Sequence, residues 1–289
     1  MSFSAQLALD AAAIQARLDA AMAGFSNEPV VEAMRYAVQG GKRLRGFLVL
    51  EAARMLGVPQ DRAMSAAAAV EALHAYSLVH DDMPCMDNDA LRRGLPTVHV
   101  KWDEATAVLA GDALQTLAFE LMADPALGAA ETRIALVAGL AQASGAEGMV
   151  LGQALDIAAE TAAQPLNLEQ ITELQAGKTG ALIRFSAEAG AILAGANPEP
   201  LRAYATALGL AFQIWDDVLD ETGDAALTGK AVGKDAAAGK ATFVSLLGLD
   251  AARSRATSLV EQAENALAPY GPLAQNLIDC ARFVISRQS

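Results

Sequence analysis

The sequence predicts an all-α fold, a single-domain bundle of about ten helices, and three observations carry that expectation. Long Ala- and Leu-rich stretches with few β-branched runs favour helix over strand. Apolar residues recur with helical period between glycine and proline breakers. No alternating segment bounded by hairpin turns stands out. Hydrophobic residues are 53% and charged residues 19% of the 289, so a large core can be buried. Without a low-complexity linker, repeat or break in composition, one domain over 1–289 is the simplest reading.

The elements follow in order. A first helix is expected over 4–22 and a second over 28–38. The pair Gly40-Gly41 opens a third at 42–57, and Gly57-Val58-Pro59 separates it from a fourth at 61–83, which ends at Pro84. Pro96 before Thr97 marks the start of a helix over 97–122. Asp124-Pro125 precedes 131–146 and then 147–160. Pro165 precedes 167–193, and Asn197-Pro198 opens 198–220. Helices over 241–268 and 271–287 complete the bundle.

The net charge of −13 argues against a nucleic-acid partner. Two distant cysteines, Cys85 and Cys280, read as reduced thiols of a cytosolic protein. Residues 1–6 show no basic segment followed by an apolar run. The richest uncharged stretch, 134–146, contains Gln142 and Ser144 and stops at Glu147, short of the roughly 18 apolar residues that a membrane span needs. A soluble, cytoplasmic protein with no membrane span is therefore expected.

Two aspartate clusters interrupt this apolar background: Asp81-Asp82-Met83-Pro84-Cys85-Met86-Asp87 and Asp216-Asp217-Val218-Leu219-Asp220. Adjacent carboxylates in apolar surroundings repel each other and need a cation. Hard oxygen donors without thiols or several histidines suit magnesium, and bound metal would reconcile an acidic chain with an anionic ligand. Two such clusters facing one cavity would clamp a magnesium–diphosphate group. Asp216 and Asp220 stand at i, i+4 on one helical face, which Gln213 shares, while Asp217 is rotated by about 100°. Asp81 and Asp82 end an apolar helix, Pro84 disfavours its continuation, and Asp87 curls back from an irregular turn.

Basic residues gather elsewhere. Lys42 and Arg45 share a face just after Gly41, where helix-start N–H groups and two cations make an anion site. Arg92 and Arg93 follow the first acidic cluster, and His74 lies two helical turns before Asp81. Gly177-Lys178-Thr179-Gly180 lacks the upstream glycine of a nucleotide-binding loop, which leaves Lys178 as a candidate diphosphate contact. Lys230 lies in a Gly-rich stretch, 223–239, that can close over a ligand. Tyr76 and Ser77 stand about one turn below Asp81, roughly 6–7.5 Å along the helix.

Taken together, the strings GGKRLR at 40–45, HAYSLVHDDMPCMDNDALRRGLPTVH at 74–99, GKTGAL at 177–182 and FQIWDDVLDETGD at 212–224 resemble the trans-isoprenyl diphosphate synthase family. The likeness is to its bacterial short-chain farnesyl diphosphate synthase (geranyltranstransferase) type, and it runs along essentially the whole chain. The resemblance implies a helical bundle around a central cavity and a homodimer. It also implies magnesium as cofactor, about three ions per active site, with manganese as a substitute. Asp81, Asp87 and Asp216 match metal ligands, with Asp82 in support and Asp220 acting through water. Arg92, Lys178 and Lys230 match contacts to the allylic diphosphate, with Thr179 and Gln213 along its chain. Gly41, Lys42, Arg45, His74 and Arg93 match the pocket for isopentenyl diphosphate. Ionisation of the allylic diphosphate, condensation and proton loss follow. A tail stopped at Tyr76 and Ser77 implies farnesyl diphosphate, with geranyl and geranylgeranyl diphosphate as alternatives.

Two positions depart from the family pattern. Gly46 stands where proline is usual, which is expected to loosen the helix start, and Trp215 stands where related bacterial enzymes often carry glutamine. Three rival readings fare worse. A terpene cyclase has no use for the second anion pocket, and a non-catalytic partner subunit should lose aspartates. A ferritin-like di-iron protein needs a second Glu-x-x-His beside Glu71-x-x-His74, and the residues three before His80 and His99 are Ser77 and Pro96.

Overall fold

A computed structural model describes residues 2–162, 164–222 and 241–287. These residues are overwhelmingly helical: α1 Phe3–Met22, α2 Pro29–Ala37, α3 Leu44–Met55, α4 Gln60–Asp81, α5 Val98–Lys101, α6 Glu104–Met122, α7 Ala130–Ser144, α8 Met149–Glu160, α9 Leu168–Gln175, α10 Ala181–Ala194, α11 Glu199–Thr222, α12 Phe243–Leu247, α13 Leu249–Ala266 and α14 Gln275–Ser286. The all-α expectation holds.

Three local expectations are corrected. The helix expected over 97–122 is two, because Asp103 accepts the Thr106 N–H at 2.7 Å and caps a new start. Gly248, at φ 81°, breaks the helix expected over 241–268. A two-residue antiparallel ladder also forms, with Leu91 opposite Pro96 and Arg92 opposite Leu95. Gly94 serves as its turn, and Pro96, which marks a helix start in the sequence, as its end.

The described residues fall into two compact units: Met1–Ala138 with Ala189–Ala196, and Gly139–Glu188 with Asn197–Ser289. In the first unit α4 packs against α3, α6 and α1. It is buried on nearly every side from Ala63 to Ala75, and its alanines let neighbouring helices come close around Phe47, Leu50, Leu73 and Leu114. That packing fixes where α4 ends, at the first acidic motif.

Gly46 lies in the first turn of α3, where backbone donors have no partner within the helix. Its N–H donates to Glu71 Oε1 at 2.8 Å, and Glu71 also pairs with the buried Arg43 at 3.5 Å. A Cβ at Gly46 would lie 2.6 Å from Ile14 Cδ1 and 3.2 Å from the Ala67 carbonyl. The glycine thus tightens the helix start, against the loosening expected from sequence. Gly46→Pro is expected to destabilise the protein by about 2 kcal/mol, since it removes the donor to Glu71 and overpacks against Ile14. A thermal melt checks this, and an unchanged melting temperature would refute it.

In the second unit α11 packs against α13 and α14 and against a π-helical turn, Ala176–Gly180, that joins α9 to α10. Buried Tyr204 of α11 donates to the Leu277 carbonyl at 2.7 Å. The stretch Ala130–Glu160 is, by length and composition, apolar enough to cross a membrane, where the sequence reading expected no such span. It consists of two helices, α7 and α8, separated by a turn over 145–148.

Candidate functional site

In the first unit, α4 ends at Asp81 and the chain turns back. The Asp87 N–H donates to the Asp81 carbonyl at 2.8 Å, and the Asn88 N–H to the Met83 carbonyl at 3.0 Å. This loop brings the backbones of Asp81 and Asp87 together and leaves Asp87 exposed. Asp82 points elsewhere. It is 3% exposed and takes Arg92 on both carboxylate oxygens, with Nε at 3.0 and 3.3 Å. Burial pushes the Asp82 carboxyl above its ordinary value, and the Arg92 hydrogen bond and charge oppose that rise. In this arrangement Asp82 anchors Arg92, and the strand pair at 91–96 holds Arg92 in place.

The basic residues of this unit gather beside the Gly40-Gly41 turn. Gly41 has φ 83°, and a Cβ there would lie 2.7 Å from Arg93 Nη2, so only glycine lets the Arg93 guanidinium lie against the turn. Arg93 Nη1 donates to the Gln39 carbonyl at 2.9 Å. Four residues past the turn, Arg45 Nη1 meets His74 Nε2 at 3.2 Å. Burial holds the His74 imidazole well below its ordinary value, and Arg45, Arg93, Arg92 and Arg43 add to the effect. His74 is therefore neutral and accepts from Arg45 at Nε2. That places its proton on Nδ1, where it can donate to an anion. Gly41, Arg45, His74 and Arg93 thus come together, and Lys42 is exposed at the same turn.

Below Asp81, the Tyr76 ring packs edge-on against His80, with centroids 5.1 Å apart. Burial pushes the Tyr76 hydroxyl above its ordinary value, and the Gln115 side chain opposes that rise. Ser77 turns its hydroxyl inward to the His74 carbonyl at 2.9 Å.

In the second unit, Gln213, Asp216 and Asp220 lie along α11. Gln213 donates to Gln175 Oε1 at 2.6 Å, which ties α11 to the start of the π turn. Asp217 accepts the Phe243 N–H at 2.6 Å, consistent with its rotation away from the Asp216 face. The π turn carries Lys178 and the buried Thr179. Lys178 Nζ meets Asp156 Oδ2 at 2.6 Å. Sequence reasoning passed over Asp156. It stands one turn after Gly152 on α8, where a Cβ would lie 2.0 Å from the Lys178 backbone nitrogen. Lys230 and the stretch 223–239 around it lie outside the described residues.

The carboxylates fit magnesium. Among the described residues no three His, Cys, Asp or Glu side chains form a closed metal cage. Each motif offers a pair of hard donors, the mode in which magnesium is held when phosphate oxygens and water complete the octahedron.

A polyprenyl synthetase family model matches residues 27–268. The chain is 50% identical over 250 residues to farnesyl diphosphate synthase of Escherichia coli (strain K12), covering 84% of this chain and 83% of that one. Among solved structures, an FPP/GFPP synthase from Zymomonas mobilis superposes with TM-score 0.89 at 45% identity, covering 98% of both chains. A geranyltransferase from Helicobacter pylori, complexed with magnesium and isoprenyl diphosphate, gives TM-score 0.81 at 37% identity over 97% of this chain and 96% of that one.

Proposed function

The chain belongs to the polyprenyl synthetase family, and from that footing we propose how its residues divide one reaction. It is a prenyltransferase, and it makes farnesyl diphosphate by joining isopentenyl diphosphate head-to-tail to dimethylallyl or geranyl diphosphate. One observation supports the division best: the unit that carries Asp81 and Asp87 also carries the metal-free anion pocket of Gly41, Arg45, His74 and Arg93.

Isopentenyl diphosphate binds in that pocket, where neutral His74 donates from Nδ1 and Arg45 and Arg93 neutralise charge, with Lys42 at the rim. The allylic diphosphate is held through Asp81, Asp87 and Asp216, with Asp220 acting through water and Asp82 supporting by holding Arg92. Magnesium bound there supplies Lewis-acid stabilisation of the departing diphosphate. We expect about three ions, with manganese as a substitute. Arg92, Lys178 and Lys230 add cationic charge at the same group. The Thr179 region and Gln213 turn dipoles toward the cationic allyl carbon. A π turn bonds i to i+5, which frees carbonyls from their usual α-helical partners, and the residues 176–180 suit this task. The condensation product loses its proton to the released diphosphate. Holding two substrates in line is most of the protein's contribution.

Tyr76, with Ser77 beside it, is the floor on which the growing tail stops. Tyr76→Ala is expected to shift products from fifteen carbons to twenty or more, read by chromatography of the dephosphorylated alcohols. An unchanged product would remove Tyr76 from this role.

The working form is a cytoplasmic homodimer. Within each unit, apolar side chains stay uncovered: Ile134 is 67% exposed in the first, and Val150, Leu151 and Ile157 are exposed on α8 in the second.

Product analysis tests the whole reading, with purified protein, isopentenyl diphosphate, magnesium and geranyl diphosphate. Farnesol after dephosphorylation is expected. Geraniol alone from dimethylallyl diphosphate would raise the floor above Tyr76, and no condensation would overturn the reading.

A further inference from the structure

Trp215, which stands where glutamine is common, directly precedes Asp216 on α11. Its indole N–H donates to the carbonyl of Arg287, just past α14, at 3.3 Å. Arg287 folds back over α11. Its Nη2 meets Asp216 Oδ1 at 2.5 Å and the Phe212 carbonyl at 3.3 Å, and its guanidinium lies 3.9 Å over the Phe212 ring. The side chain of Arg287 is only 10% exposed, whereas that of Asp216 is 43% exposed. A largely buried guanidinium is thus seated on one oxygen of the carboxylate assigned to the metal, and the neighbouring residue of that motif anchors it.

We propose that Arg287 is a positioning residue for the second aspartate motif: a built-in counter-cation that orients Asp216 and competes with divalent metal for its charge, held in place by Trp215. The proposal rests on Asp216 being a metal ligand. Without metal, Arg287 offsets the charge of Asp216. With metal, the two cations share one carboxylate, and Arg287 lowers the intrinsic affinity. Trp215 sets how firmly Arg287 stays, because its donor fixes the backbone from which the arginine reaches. Glutamine at this position also carries an N–H donor, so the exchange between glutamine and tryptophan preserves the anchor.

The test is direct binding of Mn²⁺ to the purified protein in the presence of inorganic diphosphate, counted by electron paramagnetic resonance. Arg287→Gln is expected to tighten Mn²⁺ binding at least about fivefold, as removal of a unit charge a few ångströms from the ligand should. Arg287→Lys, which keeps the charge, should stay near the parent. Trp215→Phe should move in the direction of Arg287→Gln, and Trp215→Gln should restore the parent value. The tightening must vanish when Asp216→Asn is combined with Arg287→Gln. Unchanged or weaker binding in Arg287→Gln would overturn the proposal, as would equal effects of Gln and Lys, which would indicate packing alone. If Asp216→Asn alone leaves Mn²⁺ binding untouched, the ligand assignment fails instead, and the two failures are told apart.

Discussion

Gly152→Ala is expected to cut kcat about 100-fold and to lower the melting temperature by about 5 °C. The added methyl would sit 2.0 Å from the Lys178 nitrogen and 2.5 Å from its Cα, and backbone cannot move aside as a flexible side chain does. Overpacking of this kind costs about 1–3 kcal/mol. Relief requires α8 to separate from the π turn, which carries Lys178 away from Asp156 and from the diphosphate contact proposed for it. A misplacement near 1 Å at a charge-stabilising group is enough for the loss in rate. Single-turnover rates alongside melting curves check both halves. A parent-like kcat in a destabilised protein would show that the position of Lys178 does not limit the reaction.

Asp81→Asn is expected to lose about 10³-fold in kcat, or about 4 kcal/mol of transition-state stabilisation, with the fold intact. The carboxylate lies at the half-exposed end of α4, so a neutral amide of the same shape disturbs little packing. Its neighbour gives the contrast. Asp82 is buried and carries Arg92, so Asp82→Asn should destabilise by about 3 kcal/mol as the partly buried guanidinium loses its nearest carboxylate and keeps only Asp89 at 3.9 Å. If Asp81→Asn proved as destabilising as Asp82→Asn, the two carboxylates would not have separate tasks.

That division of labour marks the limit of what the sequence made legible. Spacing alone placed Asp216 and Asp220 on one face and rotated Asp217 away, because helical periodicity is a one-dimensional property, and Pro84 put the expected end of the fourth helix within two residues of Asp81. Which arginine meets which carboxylate is not. Arg92 with Asp82 depends on a strand pair of two residues, too short to leave a pattern, and Lys178 with Asp156 depends on two helices meeting at a glycine. A lone aspartate on α8 reads as a solvated side chain until its neighbour is known. Gly46 was misjudged for the same reason: its cost to the helix is visible in sequence, but the Glu71 oxygen waiting for its N–H is not. The break at Asp103 was within reach, since an aspartate three residues before Thr106 is an N-cap signal.

The π turn at 176–180 has one more consequence. A π turn spends an extra residue where an α-helix would not, so along 168–194 it acts as a phase jump of about 100°. α10 is buried on nearly every side from Ala181 to Ala187, so its packing is set at that offset. Deleting one residue within 176–180 would heal the helix and put every later side chain of α10 on the wrong bearing. Insertions and deletions should therefore be tolerated far worse here than in the turn over 145–148, where the chain has no helical phase to keep.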